Sequence, residues 1–526
     1  CEFHELNPRW QSVSPDYFIN RRRMVEQMIA NEEVNNNNSI PEQALSIMGI
    51  NEYMFKPVNV FVVGTDESTT MEGILDKWPW LKVGCGKPLF KISLKTDLDE
   101  LRMSLVNQIS TVSGVGHVPC MVLKWIDDLP EDYYNVCMQV IEDYETIQNV
   151  NINTRLIHSA NIQTNEVRNL AWLNHSVWLE DLRGIAKGKP VVCATAGPTL
   201  AESIESIKAN RDGYIVLAAS TVVKKLVEND IYPDIIATVD MQNYNKCYLE
   251  ALTPEQQQRI YLAFDIDAGS EVVDAWHGPK IMMVSNIGET GTTKEILNHT
   301  PSYEFPKSGT VSTAVYNLAW LIGASEIYLA GYDLCYQTNS SHVDGVIGAS
   351  NIQIHEQGDS AFIMFEETNT LDALTKIQTY EGYAWSTKQF HSYVIELNHR
   401  IRECVIPTYE LSPRSVAKEL VTVRTLPPAP KLTPLHAELD KLPTKHFTNN
   451  AVKRIINGPI NSTNWTDVKY NHIARITYLI NQYTQYPVLQ YDSVLQKLND
   501  MVNVRAASLK QIVRDTLVKW KGLNNE

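Results

Sequence analysis

A chain of 526 residues is too long for a single hydrophobic core, and we expect three domains. The formal net charge of -15 at pH 7 excludes a general binder of nucleic acid or of anionic membranes, which would need a basic surface. No apolar run approaches the roughly 20 residues that cross a bilayer, and the first residues lack an apolar signal segment, so we expect no membrane span and a cytoplasmic location. The eight cysteines are scattered without a CxxC pair, which indicates free thiols.

The first 150 residues are predicted to form a small amino-terminal α/β domain. A helix is expected over residues 17–33, followed by a polar loop at 35–38. β-branched residues predict strands over 58–63 and 120–125, with a helix over 98–109 between them.

Residues 151–426 are predicted to form the central domain, because apolar strands and amphipathic helices alternate there. Helices are expected over 165–185, 200–209, 221–228 and 310–322, the last one stopped by Gly323. The predicted strands cover residues 191–195, 214–219, 235–239, 260–264, 280–284 and 327–330. This alternation predicts an α/β fold with a Rossmann-like, mainly parallel sheet flanked by helices.

A stiff, proline-rich linker at residues 427–430 separates the last predicted domain from the central one. Helical periodicity over 451–456, 471–483 and 494–520 predicts a helical carboxyl-terminal domain over residues 427–526.

The turn between the first strand and the first helix of the central domain is the strongest candidate for a ligand site. It reads Ala196-Gly197-Pro198-Thr199-Leu200. Gly197 lets the backbone approach a ligand closely, and the amino-terminal end of the helix attracts an anion such as a phosphate. Thr199 and Glu202 have capping-box spacing, so we expect Thr199 to cap this helix. A tight turn that needs glycine for packing alone is the alternative.

Further polar residues are predicted at the same sheet edge, where ligands of parallel sheets bind. They are Ser220, Thr221, Asp240 and Asp333, which follow three of the predicted strands. Helix capping and the bracing of turns are the alternative roles for these four residues. Ser308, Gly309 and Thr310 open the helix at 310–322, which predicts a second anion site or, alternatively, a simple cap.

Taken in order, these motifs resemble the motility-associated factor (Maf) flagellin glycosyltransferases, whose core is similar to that of bacterial sialyltransferases. The resemblance covers residues 150–425 best. It rests on four segments: 196–200, 231–240 with its Pro233-Asp234 and Asp240, 308–312, and 327–334 with its Gly331-Tyr332-Asp333. The segment Pro407-Thr408-Tyr409-Glu410-Leu411-Ser412-Pro413-Arg414 departs from the family, which tends to have Asn-Ala-Thr-Glu-Gly-Gly there.

The resemblance implies transfer of a nonulosonic acid of the sialic, pseudaminic or legionaminic type from its CMP-activated form to Ser or Thr of flagellin. The implied partners are therefore the CMP-nonulosonate donor and the flagellin acceptor, with a role in flagellum assembly and motility. The resemblance also implies that Ser220 or Thr221 contacts the cytidine. From their positions at strand ends, Asp240 and Asp333 are candidates to bind ribose hydroxyls or a divalent ion.

An inverting transfer needs a base for the acceptor hydroxyl and a group that neutralises the leaving phosphate. His342 is the first candidate for the base, with His355 and His391 as alternatives, and Tyr336 is a candidate hydrogen-bond donor to the phosphate. No cluster of His, Asp or Glu has metal-ligand spacing, so we expect no tightly bound metal or other cofactor, while a Mg²⁺ requirement through the aspartates stays open.

Two other functions remain open on the sequence. One is a related 6-hydroxymethylpterin pyrophosphokinase, which would use ATP and Mg²⁺, although the length of this chain argues against it. The other is a flagellin-binding assembly factor without catalytic activity, because the segment 407–414 departs from the family.

Overall fold

The computed structural model describes residues 4–5, 59–77, 89–95, 97–98, 100–102, 104–105, 120–284, 305–306, 308–336, 340, 342–347, 351–357, 360–365, 370–444, 447–461, 508 and 510–523. These residues fall into two compact units, one within Cys1–Ile157 and the other within His158–Val468 and Asp500–Glu526. The predicted helices at 17–33 and 471–483 and the loop at 35–38 lie outside the described residues.

The first unit contains a four-stranded sheet in the order β1-β4-β2-β3. Its strands are β1 (His4–Glu5), β2 (Asn59–Thr65), β3 (Leu89–Ser93) and β4 (Cys120–Lys124). Strand β2 runs parallel to both β3 and β4, and β1 runs antiparallel to β4. Helix α1 (Met71–Lys77) follows β2, and the long helix α2 (Glu131–Asn169) begins after β4. The predicted α/β character of this region is confirmed.

The second unit is built on a nine-stranded sheet in which every neighbouring pair of strands is parallel. The strands of this unit are β5 (Val177–Trp178), β6 (Pro190–Ala194), β7 (Ile215–Ala219), β8 (Ile235–Thr238), β9 (Tyr261–Asp265), β10 (Lys280–Met283), β11 (Glu326–Ala330), β12 (Ile352–Gln357), β13 (Ser360–Phe365), β14 (Thr370–Thr379), β15 (Gly382–Ser386), β16 (Thr408–Glu410) and β17 (Thr422–Val423). The large sheet has the order β17-β16-β11-β6-β7-β8-β9-β10-β5. The predicted α/β fold with a mainly parallel sheet is confirmed.

The order of these strands creates a topological switch point between β6 and β11. From β6 the chain adds β7, β8, β9 and β10 on one side, and β11 and β16 follow on the other side. Strands β6 and β11 are paired along their length, from Pro190 opposite Glu326 to Ala194 opposite Ala330. In open parallel sheets the crevice for a ligand lies outside the carboxyl ends of the strands at such a point. The candidate turn 196–200 follows β6 and Asp333 follows β11, so both lie at this switch point.

Helices flank the sheet because its strands are apolar on both faces, as in β6, where residues 191–194 are fully buried. The further helices are α3 (Leu200–Ala209), α4 (Val223–Glu228), α5 (Lys246–Glu250), α6 (Pro254–Gln257), α7 (Ser270–Asp274), α8 (Val311–Leu321), α9 (Lys388–Cys404), α10 (His436–Leu439) and α11 (Asn449–Asn461). A 3₁₀ turn at Ser220–Val222 leads into α4. Residues 510–523 are also helical; they overlap the predicted helix 494–520 and extend to residue 523.

The prediction of a helix over residues 165–185 is wrong for most of these residues. The expected helix 165–185 ends at Asn169, and Val177–Trp178 instead forms strand β5, with Val177 opposite Ile281 of β10. Valine and tryptophan favour strands, and their pairing with β10 satisfies the backbone groups at that edge of the sheet.

A second, antiparallel sheet of four strands in the order β12-β13-β14-β15 was not predicted. It lies in the chain between β11 and α9, and its core includes Ile352, Ile363 and Trp385. The segment after residue 427 packs on the central core, because Tyr214 donates to the carbonyl oxygen of Pro427 at 2.6 Å and Val452 belongs to the same apolar cluster.

Candidate active site

The turns after β6 and β11 are joined directly to each other by hydrogen bonds. The N–H of Thr195 donates to the carbonyl oxygen of Ala330 at 2.9 Å, and its hydroxyl donates to that of Gly331 at 2.6 Å. The N–H of Gly197 donates to the same oxygen of Gly331 at 3.0 Å. Three hydrogen bonds therefore hold the two turns of the switch point together.

Gly197 is needed for this close approach. A Cβ atom built on Gly197 would lie 2.4 Å from the carbonyl oxygen of Gly331 and 2.6 Å from Cγ of Asp333, both far inside van der Waals distance. The alternative given in the sequence analysis, that the turn needs glycine for packing, is therefore supported.

Asp333 is a buried clamp on the turn 196–200. One carboxylate oxygen accepts a hydrogen bond from the N–H of Thr199 at 2.8 Å, and the other accepts from the Thr199 hydroxyl and from the hydroxyl of Ser415 at 3.2 Å. Burial raises the pKa of Asp333, and the hydrogen bonds from Thr199 oppose that shift. These contacts fit the alternative role predicted for Asp333, which is to brace a turn.

The predicted capping box at Thr199 is wrong. The Thr199 side chain makes no cap hydrogen bond to helix α3, because its hydroxyl donates to Asp333. Glu202 is also engaged elsewhere, accepting from the hydroxyl of Ser412 at 2.8 Å and forming an ion pair with Arg414. Ser412 and Arg414 belong to the segment 407–414, which departs from the Maf pattern. This segment therefore contacts the first turn of helix α3.

From Gly197 onward, the backbone N–H groups of the candidate turn are already used within the chain. The N–H groups of residues 200, 201 and 202 donate to the carbonyl oxygens of residues 197, 198 and 199. Those of Thr195, Gly197 and Thr199 are taken by the partners given above, and Pro198 has none. A phosphate cradled by these N–H groups would have to displace an internal partner.

The second predicted anion site, at the start of α8, also holds an internal carboxylate. Both oxygens of Glu396 accept from the N–H of Gly309, at 3.0 and 3.2 Å. Burial raises the pKa of Glu396 to about 7, against the lowering effect of that bond and of Arg400. Thr310 caps the helix by accepting from the N–H of Ser312, as the alternative reading had it.

Ser308 is also hydrogen-bonded to helix α8. Its hydroxyl accepts a hydrogen bond from the amide of Asn317 at 2.9 Å, and Asn317 in turn accepts from Nε of Arg400 at 2.8 Å. Glu396 and Arg400 lie one turn apart on α9, so α9 fixes the amino-terminal end of α8 through both charges.

Ser220, Thr221 and Asp240 lie at the carboxyl edge of the sheet, as predicted. Ser220 is buried and begins the 3₁₀ turn after β7, with Thr221 half-buried beside it. Asp240 follows β8, and its carboxylate accepts from the N–H of Gln242 at 3.0 Å within a tight turn.

His342 is brought to the turn 196–200 by its neighbour in sequence. The N–H of Val343 donates to the carbonyl oxygen of Ala196 at 2.9 Å, which ties the segment 342–347 to the turn. His342 is half-buried, and burial lowers its pKa, so its imidazole is neutral near pH 7. Its predicted role as a base is thus compatible with its position and its protonation state.

Tyr336 packs inside the protein and not at its surface. It is buried in the apolar cluster of the antiparallel sheet and stacks on Phe390 with the ring centres 5.3 Å apart. His355 is exposed on β12 of that sheet, and His391 is half-buried on α9. Of the candidate bases, only His342 lies on a segment shown to contact the turn 196–200.

Two important residues could not be recognised in the sequence. Ser415 contacts Asp333 across 82 positions, and Glu396 contacts Gly309 across 87, so no local pattern marks either pair. Beside Asp333 lies a fully buried ion pair between Lys418 and Glu410, 2.7 Å apart. Burial raises the pKa of Glu410, and Lys418 opposes that shift.

The residues that the structure describes were compared with the requirements for a membrane span and for a metal site. Among these residues, no helix is long and apolar enough to cross a membrane. In the same residues, no group of three or more His, Cys, Asp or Glu side chains is arranged to hold a metal ion.

The comparisons with known proteins concern the fold of the chain. Residues 164–339, about a third of the chain, match the family model described as 6-hydroxymethylpterin diphosphokinase MptE-like. Among solved structures, the fold is similar to that of the Maf glycosyltransferase from Magnetospirillum magneticum AMB-1, with a TM-score of 0.53, 12% sequence identity, and coverage of 87% of this chain and 76% of that one. No curated protein sequence matches the chain significantly. The predicted resemblance to the Maf glycosyltransferases is confirmed at the level of the fold.

Proposed function

We propose that the chain is a glycosyltransferase of the Maf type, which moves a nonulosonic acid from its CMP-activated form to Ser or Thr of flagellin in the cytoplasm. The observation that carries this proposal is the fold shared with a Maf glycosyltransferase over 87% of the chain. It is supported by the contacts at the switch point, where residues 196–200, Asp333 and the segment of His342 meet.

In this proposal the acceptor oxygen attacks the anomeric carbon of the sugar. The bond between that carbon and the phosphate oxygen breaks, and its electron pair leaves with CMP. The acceptor proton passes to the neutral imidazole of His342, whose lowered pKa keeps it unprotonated. No tightly bound cofactor enters the step.

The site residues would divide this work. Gly197 and Pro198 would pack against the nucleotide, and Ser220, Thr221 and Asp240 would contact the cytidine and ribose. Asp333 would act indirectly, by holding Thr199 and the turn in place. The proposal does not use Tyr336, which is buried in another cluster.

A transfer assay tests the proposal. Purified flagellin, CMP-pseudaminic acid and the protein are incubated, and the intact mass of flagellin is measured. Transfer predicts a mass increase in steps of one nonulosonic acid residue, with CMP released in equal amount. If flagellin binds but its mass is unchanged, the chain is a binding factor without this chemistry.

A second function is favoured by the family match over residues 164–339. It is the ATP-dependent transfer of pyrophosphate to the hydroxymethyl group of a pterin, with AMP as the other product. Incubation with ATP, Mg²⁺ and 6-hydroxymethylpterin tests it, and formation of AMP with the pterin diphosphate would favour this function over glycosyl transfer.

A further inference from the structure

The two helix ends expected to bind an anionic donor are both neutralised by the chain itself. Asp333 takes the N–H of Thr199 at the start of α3, and Glu396 takes that of Gly309 at the start of α8. A phosphate at this edge of the sheet therefore needs its positive partner from a side chain.

Most cations near this edge are already paired. Arg414 is bound to Glu202, Lys418 to Glu410, and Lys246 to Glu271. Each of these pairs would have to open before its cation could serve a ligand.

Lys225 differs from these cations. It lies in the first turn of α4, which follows β7 and the 3₁₀ turn at Ser220–Val222, and it is half-buried. Among the described residues, none of the ion pairs includes Lys225, whereas its neighbour Lys224 is paired with Glu228 at 3.7 Å.

The ammonium of Lys225 lies close to the segment that carries His342. A Cβ atom built on Gly345 would lie 3.6 Å from Nζ of Lys225, so the ammonium lies directly beside this glycine. Two residues earlier, Val343 donates to the carbonyl oxygen of Ala196. The ammonium is thus connected through one short segment to the turn 196–200.

We propose that Lys225 binds the phosphate of the nucleotide donor, beside the turn 196–200. The inference rests on the proposed function for the identity of that donor. When the sugar leaves, the phosphate gains a negative charge, so a fixed ammonium stabilises the departing CMP more than the intact donor. Lysine suits this task as a point charge that needs no bidentate geometry.

Calorimetric titration with CMP and with cytidine separates the phosphate from the rest of the nucleotide. Lys225→Met keeps most of the aliphatic stem and removes the charge, and Lys224→Met is the matched control next to it. We expect Lys225→Met to weaken CMP binding by about tenfold to a hundredfold. We expect cytidine binding to be unchanged in both variants, and Lys224→Met to bind CMP within about twofold of the wild type.

The outcomes separate this inference from the proposed function. Wild-type affinity for CMP in Lys225→Met would overturn the role of Lys225 and leave the donor class standing. If the wild type binds ATP and not CMP, the donor class falls, and the same comparison with ATP decides on Lys225. A wild type that binds neither nucleotide would overturn both. Thermal unfolding of each variant confirms that it is folded.

Discussion

Asp333 and Thr199, which are 134 positions apart, are joined by two hydrogen bonds at the switch point of the sheet. The carboxylate accepts both the N–H and the hydroxyl of Thr199, and so fixes the start of α3 against the end of β11. The conformation of the turn therefore depends on a residue that is distant in the sequence. The first prediction concerns this clamp.

Asp333→Asn should loosen the turn 196–200. The amide offers one oxygen and a donating NH₂ group, so it cannot accept from Thr199 on both sides and from Ser415 as well. We expect the free energy of unfolding to fall by about 1–3 kcal/mol, measured by urea denaturation. Asp212→Asn is the control, because Asp212 pairs with Lys431 on the surface and should matter little. Equal effects of the two substitutions would contradict the clamp.

Lys418→Met should be more damaging than any surface change. It leaves Glu410 buried without its cation, and breaking a fully buried pair from one side costs about 3–5 kcal/mol. The double variant Lys418→Met/Glu410→Leu removes both charges and should recover much of this loss. A double variant as unstable as the sum of the single variants would show that the two side chains do not act as a pair.

Glu396 should make stability fall as the pH rises. Its pKa is raised to about 7 in the folded chain, so the folded state binds more protons than the unfolded state between about pH 4.5 and 7. Stability is then lost as pH rises through this window, by roughly 1–2 kcal/mol after allowance for solvent screening. Glu396→Gln keeps an acceptor for Gly309 and should flatten this slope in thermal unfolding across the window. An unchanged slope would count against Glu396 as its source.

His342 should set the acid limb of the activity profile. Burial lowers its pKa, so the neutral, basic form persists below the usual value of about 6.5. We expect kcat/KM to decline only below that pH, and His342→Ala to lose about 10²–10⁴-fold in kcat while still binding CMP. His391→Ala serves as the control and should keep the wild-type profile. An acid limb above pH 6.5, or near wild-type transfer by His342→Ala, would show that another group is the base.

The central sheet could be predicted because its strands carry a local signal. Buried parallel strands such as residues 191–194 are short, continuous apolar runs, and helix α8 ends at Leu321, one residue before the predicted end at 322. The edge strand β5 could not be predicted, because Val177 and Trp178 become a strand only through pairing with β10, more than 100 positions later. The antiparallel sheet β12–β15 could not be predicted in this way, because its strands do not alternate with helices as those of the central sheet do.

The position of the candidate residues in the fold could be predicted, and their hydrogen-bond partners could not. The alternation of strands and helices places residues 196–200, Asp240 and Asp333 after strands of the parallel sheet, and therefore at its carboxyl edge. The use of Asp333 and Glu396 as internal partners of helix ends depends on long-range contacts. Sequence spacing shows that a helix end is present, but it cannot show which carboxylate occupies it.

The most direct test of the central claim is calorimetric binding of CMP, with UDP, GDP and ATP as controls. A CMP-sugar transferase with its nucleotide site at the switch point should bind CMP selectively. It should lose this binding in Gly197→Trp, whose side chain would push the turn away from Gly331 and Asp333. Preference for ATP would contradict the account and favour the pyrophosphokinase function, and the absence of any nucleotide binding would leave only a flagellin-binding role.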